Sequence, residues 1–145
     1  RLFDGAVCIV TPTLRTSRAA LRRVEQLWRP LVGRIIRMSP REHDDTLAAT
    51  SHLPHLVSSC LAGAVQPCSR NSAAPSFLET TRLAMSDPDL WDDIFLGNRQ
   101  ALLGAMGRFE RQWRALRRLI QRSDRAGVRR ALARIKRQRD VLRDA

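Results

Sequence analysis

All three histidines of the chain fall within one short stretch, His43-Asp44-Asp45-Thr46-Leu47-Ala48-Ala49-Thr50-Ser51-His52-Leu53-Pro54-His55. Further along comes Thr80-Thr81-Arg82-Leu83-Ala84-Met85-Ser86-Asp87-Pro88-Asp89-Leu90-Trp91. Imidazole is the side chain whose ordinary pKa lies nearest neutrality, and guanidinium presents a planar fork that matches a carboxylate. Clustered histidines with one arginine amid apolar residues describe a pocket for a small polar anion. His52 and His55 are three apart and share a helix face, although Pro54 between them loosens the phase. Arg82 precedes Leu83-Ala84, so its backbone is expected to be partly buried. A partly buried guanidinium needs an anion, either Glu79 or a ligand. Trp91 reads equally well as a pocket wall or as a core aromatic at the start of a helix.

Other chemistries fit less well. Asp44 or Asp45 could join the histidines around a metal ion, but no three-ligand helical spacing is present, and no metal site is expected. Ser51-His52 lacks a nucleophile elbow and an acidic third member, which argues against a hydrolase. None of the seven glycines stands in Gly-x-Gly-x-x-Gly order, and Gly104-Ala105-Met106-Gly107 follows a helix rather than a strand. Cys8, Cys60 and Cys68 are odd in number and have no Cys-x-x-Cys spacing, so reduced thiols in a cytoplasmic protein are expected.

The elements that must position these residues come in two regimes. Ala6 to Val10 reads as a buried strand closed by Thr11-Pro12. Leu21, Val24 and Trp28 recur at helical spacing from Ser17 to about Arg29, and Arg34 to Met38 reads as a second short strand. Strand, helix, strand is the tail of an α/β unit whose sheet neighbours should lie upstream. At Ser39 the pattern changes. Ser39-Pro40-Arg41-Glu42 is a capping box with proline at the first helical position. The helix it opens carries His43 and should kink or break at Pro54. Leu53, Leu56, Val57, Cys60, Leu61 and Val65 continue an apolar helical stripe, and Pro67 to Ser76 reads as a loop. Ser86-Asp87-Pro88-Asp89 is another capped start. Leu102, Met106, Phe109, Trp113, Leu116 and Ile120 then form a coiled-coil-like seam. Val128, Leu132, Ile135 and Leu142 mark a final amphipathic helix after Ser123–Gly127.

With 145 residues and a hydrophobic fraction of 43%, the chain suits one ordinary domain, or one domain plus part of another. A start at Arg1, running straight into a strand, reads as a fragment of something longer. No apolar run approaches a membrane span, and the first residues contain no signal-peptide core. The formal charge is +12. Most of it falls after Gly107, where arginines from Arg108 to Arg143 face only Glu110, Asp124, Asp140 and Asp144. Such a stripe suits a solvated helix face, with arginine standing in for scarce lysine. The alternative is a non-enzymatic, arginine-rich helical module that binds nucleic acid or an acidic partner.

Taken together, the blocks His43-Asp44, Ser51 to His55, Glu79 before Thr81-Arg82-Leu83-Ala84, and Ser86-Asp87-Pro88 with Trp91 resemble the C-terminal part of the prephenate/arogenate (cyclohexadienyl) dehydrogenase family. Leu2-Phe3-Asp4-Gly5-Ala6, Thr11-Pro12-Thr13 and Asn98 also fit, so the resemblance covers nearly the whole chain. It implies a mainly α fold. Residues 1–38 would be the tail of a Rossmann-like nucleotide-binding α/β domain. Residues 39–145 would be an all-helical substrate and dimerisation domain, like the C-terminal domain of 6-phosphogluconate dehydrogenase. The implied activity is oxidative decarboxylation of prephenate or arogenate with NAD or NADP, in a cytoplasmic homodimer of the tyrosine pathway. Carried over by motif, Arg82 grips a substrate carboxylate, while His55 and His43 hydrogen-bond the substrate. His52, Ser51, Glu79 and Trp91 support them. The resemblance places the general base upstream, so no histidine here is expected to be catalytic. The cofactor is expected to be bound mainly by the preceding domain. Two departures bear on specificity: the family's glycine before the acidic residue is absent from Ala74-Pro75-Ser76-Phe77-Leu78, and Glu79 stands where aspartate is commoner.

Overall fold

The computed structural model describes residues 2–65 and 74–143 of the chain. Val7–Val10 (β1) and Arg34–Arg37 (β2) form a two-stranded parallel sheet with Val7 opposite Arg34 and Val10 opposite Arg37. Parallel neighbours need a crossover, and Arg18–Trp28 (α1) supplies it, capped where Ser17 Oγ accepts from the Ala20 amide at 3.1 Å. Glu25 of α1 is buried, with 6% exposure, and both its oxygens accept from the Arg37 guanidinium at the end of β2. Those bonds hold the Glu25 carboxyl below the usual carboxylate range. At the other end of the sheet Gly5 has φ 75°, and a Cβ on Gly33 would come within 3.0 Å of Gly5 Cα. The chain entering β1 and the chain entering β2 therefore touch backbone to backbone, which a side chain at position 33 would prevent.

The predicted capping box is formed. Ser39 Oγ accepts from the Glu42 amide at 3.2 Å, and Glu42 Oε2 accepts from the Ser39 amide at 2.7 Å. It opens Pro40–Leu47 (α2). Of the kink or break expected at Pro54, the break does not occur. Instead Ala48–His52 forms a π-helical turn, and Leu53–Gly63 (α3) follows directly with Pro54 in its first turn. Proline has no amide to continue the ladder, and the helix departs from regular α pairing just before it, where the Leu53 amide bonds Ala48 O five residues back. The extra residue of the π-turn takes up the change of phase.

The loop expected over Pro67–Ser76 lies mostly outside the described residues. Its last two residues already belong to Pro75–Thr80 (α4). Arg82–Met85 is a 3-10 turn packed on α3. Asp87 caps Pro88–Gly97 (α5), and Arg99–Gln121 (α6) and Arg125–Arg143 (α7) complete the chain. No strand follows Ser39 among the described residues. No helix there is long and apolar enough to cross a membrane.

The chain divides into two compact units, Arg1–Leu102 and Leu103–Ala145. In the second, α6 ends in a Schellman motif: the Asp124 amide reaches Leu119 O at 3.0 Å and the Ser123 amide reaches Ile120 O at 2.9 Å. Ser123 occupies the left-handed position at φ 51°. Asp124 then caps α7, its Oδ1 accepting from the Gly127 amide at 2.8 Å. Of the predicted seam, Leu102 is buried, whereas Phe109, Trp113 and Ile120 are exposed. The rings of Phe109 and Trp113 stack with centroids 6.4 Å apart.

Candidate functional site

The site is built in the first unit, where α3, the 3-10 turn and α5 meet. Ser58 of α3 is buried at 2% exposure, and its Oγ accepts from the Ala84 amide at 3.1 Å, pinning the turn to the helix. Thr81, also buried, donates from Oγ1 to Phe77 O at 2.8 Å and ties the turn to α4. Between these elements lies a cavity of about 280 Å³. His55 and Ser59 line it from α3, Leu83 and Ala84 from the turn, and Trp91 and Phe95 from α5, with Asp92 at hand.

Trp91 organises the wall. Its ring stacks on His55 with centroids 3.5 Å apart and planes 21° apart, meets Phe95 at 5.4 Å, and takes the edge of His52 at 6.3 Å and 80°. His55 is held from the other side by a 3.0 Å hydrogen bond between Nδ1 and the Ser51 carbonyl. A carbonyl only accepts, so Nδ1 carries the proton and Nε2 is left to accept from a ligand while the ring is neutral. His52 is buried at 8% exposure. Burial lowers its pKa first, and the neighbouring His43 and His55 lower it further against the opposing pull of Asp44.

The predicted residues are therefore partly gathered. His55 and Trp91 line the cavity, and His52 touches it through Trp91. Ser51 contributes its backbone carbonyl. His43 does not line the cavity; its Nδ1 meets Asp44 Oδ1 at 3.0 Å. Arg82 departs from its expected burial: it is exposed, and it makes no ion pair with Glu79, which is also exposed, among the described residues. The 3-10 geometry turns Leu83 and Ala84 inward and leaves Arg82 outward, directly before them in the chain. Ser58 and Phe95 were not among the expected site residues. Ser58 stands three residues after His55 on an otherwise apolar stripe, and Phe95 four after Trp91, so helical spacing was the available signal.

Among the described residues no three His, Cys, Asp or Glu side chains are grouped to hold a metal ion. Cys8 and Cys60 are free thiols, and Cys68 lies outside the described residues. β1 leads into Thr11-Pro12-Thr13 and not into a glycine-rich turn, so these residues build no phosphate cradle for a dinucleotide.

Residues 39–134 match the family model described as prephenate dehydrogenase, dimerization domain. The chain is 38% identical over 130 residues to a cyclohexadienyl dehydrogenase of Zymomonas mobilis, covering 85% of this chain and 44% of that protein. It is 30% identical over 147 residues to a prephenate dehydrogenase of Bacillus subtilis, covering 97% of this chain and 40% of that protein. The fold matches Synechocystis arogenate dehydrogenase with a TM-score of 0.87 at 27% identity, over 97% of this chain and 54% of that one. It also matches prephenate dehydrogenase from A. aeolicus, solved in complex with hydroxyphenyl propionate and NAD+, with a TM-score of 0.86 at 32% identity, over 97% of this chain and 51% of that one. The chain thus spans less than half the length of the two sequence relatives. The matched span includes most of the arginine-rich helices, and the reading of them as a nucleic-acid module gains no support.

Proposed function

Because this chain belongs to the prephenate dehydrogenase family through its dimerization domain, we propose that it is the substrate-binding and dimer-forming portion of a cytoplasmic, NAD(P)-dependent enzyme that oxidatively decarboxylates prephenate or arogenate. Residues 1–38 end the nucleotide-binding α/β domain, and residues 39–145 form the helical domain. The observation that carries the reading is the His55–Trp91 stack: a flat, ring-sized cavity wall that presents an imidazole acceptor within a 280 Å³ space. The bound A. aeolicus ligand is a phenol bearing a propionate, and that chemistry suits this wall. Trp91 and Phe95 offer faces to the ring and His55 Nε2 accepts from a ring hydroxyl; Arg82, which stands directly before Leu83 but does not line the cavity, receives the carboxylate by turning its side chain toward it. Arg82 is exposed and has no ion-pair partner among the described residues, so the carboxylate need displace none of them. His52, Ser51 and Glu79 support the wall and rim, and His43 stands further off. The cofactor supplies the oxidant and is held outside these residues, since they form no dinucleotide cradle.

Calorimetric titration with 3-(4-hydroxyphenyl)propionate tests the reading. The chain should bind the probe without catalysing turnover of prephenate. Arg82→Ala should weaken binding by roughly 10- to 100-fold, the worth of about 1.5–3 kcal/mol for a hydrogen bond to a charged group. Equal affinity of wild type and Arg82→Ala would refute it, as would turnover by the chain alone.

A further inference from the structure

Asn98, at the C-terminal end of α5, reaches across to the segment that carries the histidines. Its Nδ2 donates to the Asp44 carbonyl at 2.8 Å and lies 3.4 Å from Nδ1 of His52. The Asp44 carbonyl can only accept, so it fixes which end of the amide is the NH2 group; the reverse orientation would set two oxygens against each other. One amide hydrogen is used there. The other faces His52 Nδ1, which can receive it only when that nitrogen bears no proton. A neutral imidazole with a bare Nδ1 carries its proton on Nε2. The ring so defined is buried and sets its edge against Trp91, and Trp91 stacks on His55. Around His52 stand His43 and Asp44 from the α2 side and His55 from α3.

We propose that Asn98 is a positioning residue of the cavity: its amide locks His52 in the Nε2–H tautomer, and the locked ring backs the indole that stacks on His55. The two contacts also clip α2, at Asp44, and the last residue of the π-helical turn, at His52, to the end of α5. A substitution at 98 therefore changes the cavity wall from behind, without touching a ligand. The inference deepens the substrate-site reading and rests on it for its consequence in binding. The tautomer itself is read with no ligand present, so the two can fail separately.

Long-range ¹⁵N NMR of the three imidazoles at neutral pH, with His52 assigned from the His52→Gln spectrum, is the test. In the wild-type chain the His52 Nδ1 resonance should sit at the unprotonated end of the nitrogen range. Asn98→Ala should move it toward a mixture of tautomers. Asn98→Asp, which keeps the size but offers His52 only an acceptor, should drive it to the protonated end. In a Trp28→Phe, Trp113→Phe background, both substitutions should also shift the emission of Trp91. A protonated Nδ1 in the wild type overturns the proposal whatever the variants do. An Nε2–H tautomer that survives both substitutions overturns it too, since a merely structural cap would lower stability and leave the tautomer alone.

Discussion

Trp91→Ala removes the ring on which the cavity wall depends, and its cost can be worked from the structure. A fully buried indole removes roughly 200 Å² from water, and Trp91 is half-buried, so about 100 Å² is lost. At about 25 cal/mol per Å² this is about 2.5 kcal/mol. The stack on His55 and the tilted contact with Phe95 add roughly 0.5–1.5 kcal/mol each beyond area. Residual burial in the unfolded chain removes part of the area term. A loss of about 3 kcal/mol remains. Trp91→Phe keeps a ring in the same place and should cost about half as much. Guanidinium unfolding followed by far-ultraviolet dichroism, which does not depend on the deleted fluorophore, measures both. The midpoint should fall at constant slope. A Trp91→Ala loss under about 1 kcal/mol, or a Phe variant as unstable as the Ala variant, would show that the indole does not pack as described.

Three further outcomes follow from local geometry. Ser123→Gly should stabilise the chain by roughly 0.5–1 kcal/mol, because the Schellman position is left-handed and glycine holds it without a Cβ penalty; a lower thermal midpoint would contradict this. Gly127→Ala should cost about 1 kcal/mol although alanine is the better helix former. Its Cβ would collide with the Asp124 carboxylate that caps α7 and with Leu119 Cδ2 at 2.7 Å, and a gain in stability would refute the cap. His52 gives the pH dependence. Its pKa is lowered in the folded state, so below the unfolded value of about 6.5 the unfolded chain takes up a proton that the folded chain resists. Stability should be flat above that point and fall as the pH drops through it. His52→Gln should reduce the slope, and equal slopes for both proteins would remove His52 as the cause.

What could be read in advance was local. The capping box at Ser39–Glu42 declares itself in four consecutive residues, and the structure forms both of its bonds. The strand–helix–strand opening was legible because β-branched runs and helical periodicity do not depend on distant partners. Pro54 misled for the same reason. A proline removes one amide wherever it stands, but the cost depends on whether that amide had a partner, and the π-turn before it settles that. Arg82 was expected inside because apolar neighbours follow it; a 3-10 turn instead separates adjacent residues onto opposite faces. The His55–Trp91 stack joins residues from two helices. Each residue was visible as a candidate, but their contact depends on Ser58 holding the 3-10 turn that lies between them in the chain.

The distribution of apolar residues separates two tasks. Within the described residues the buried apolar side chains are few and small for a chain that is 43% hydrophobic: Ala48, Leu102 and Ala105. Part of the remainder lines the cavity in the first unit, part stands exposed on β1, α1 and the loops beside them, and part lies on the faces of α6 and α7 in the second unit. On α6 and α7, Phe109, Trp113, Ile120, Leu132 and Val141 stand exposed between arginines. Arginine explains how such helices can remain soluble while uncovered, since its stem lies along apolar surface and its head stays in water. It does not explain why large side chains recur there at helical spacing. A solvated charged face needs no aromatic ring, and a patch of this kind marks a surface meant to be covered. On the proposed reading that cover is a second copy. Pairing then completes the burial that the single chain leaves undone, and stability and association become one equilibrium.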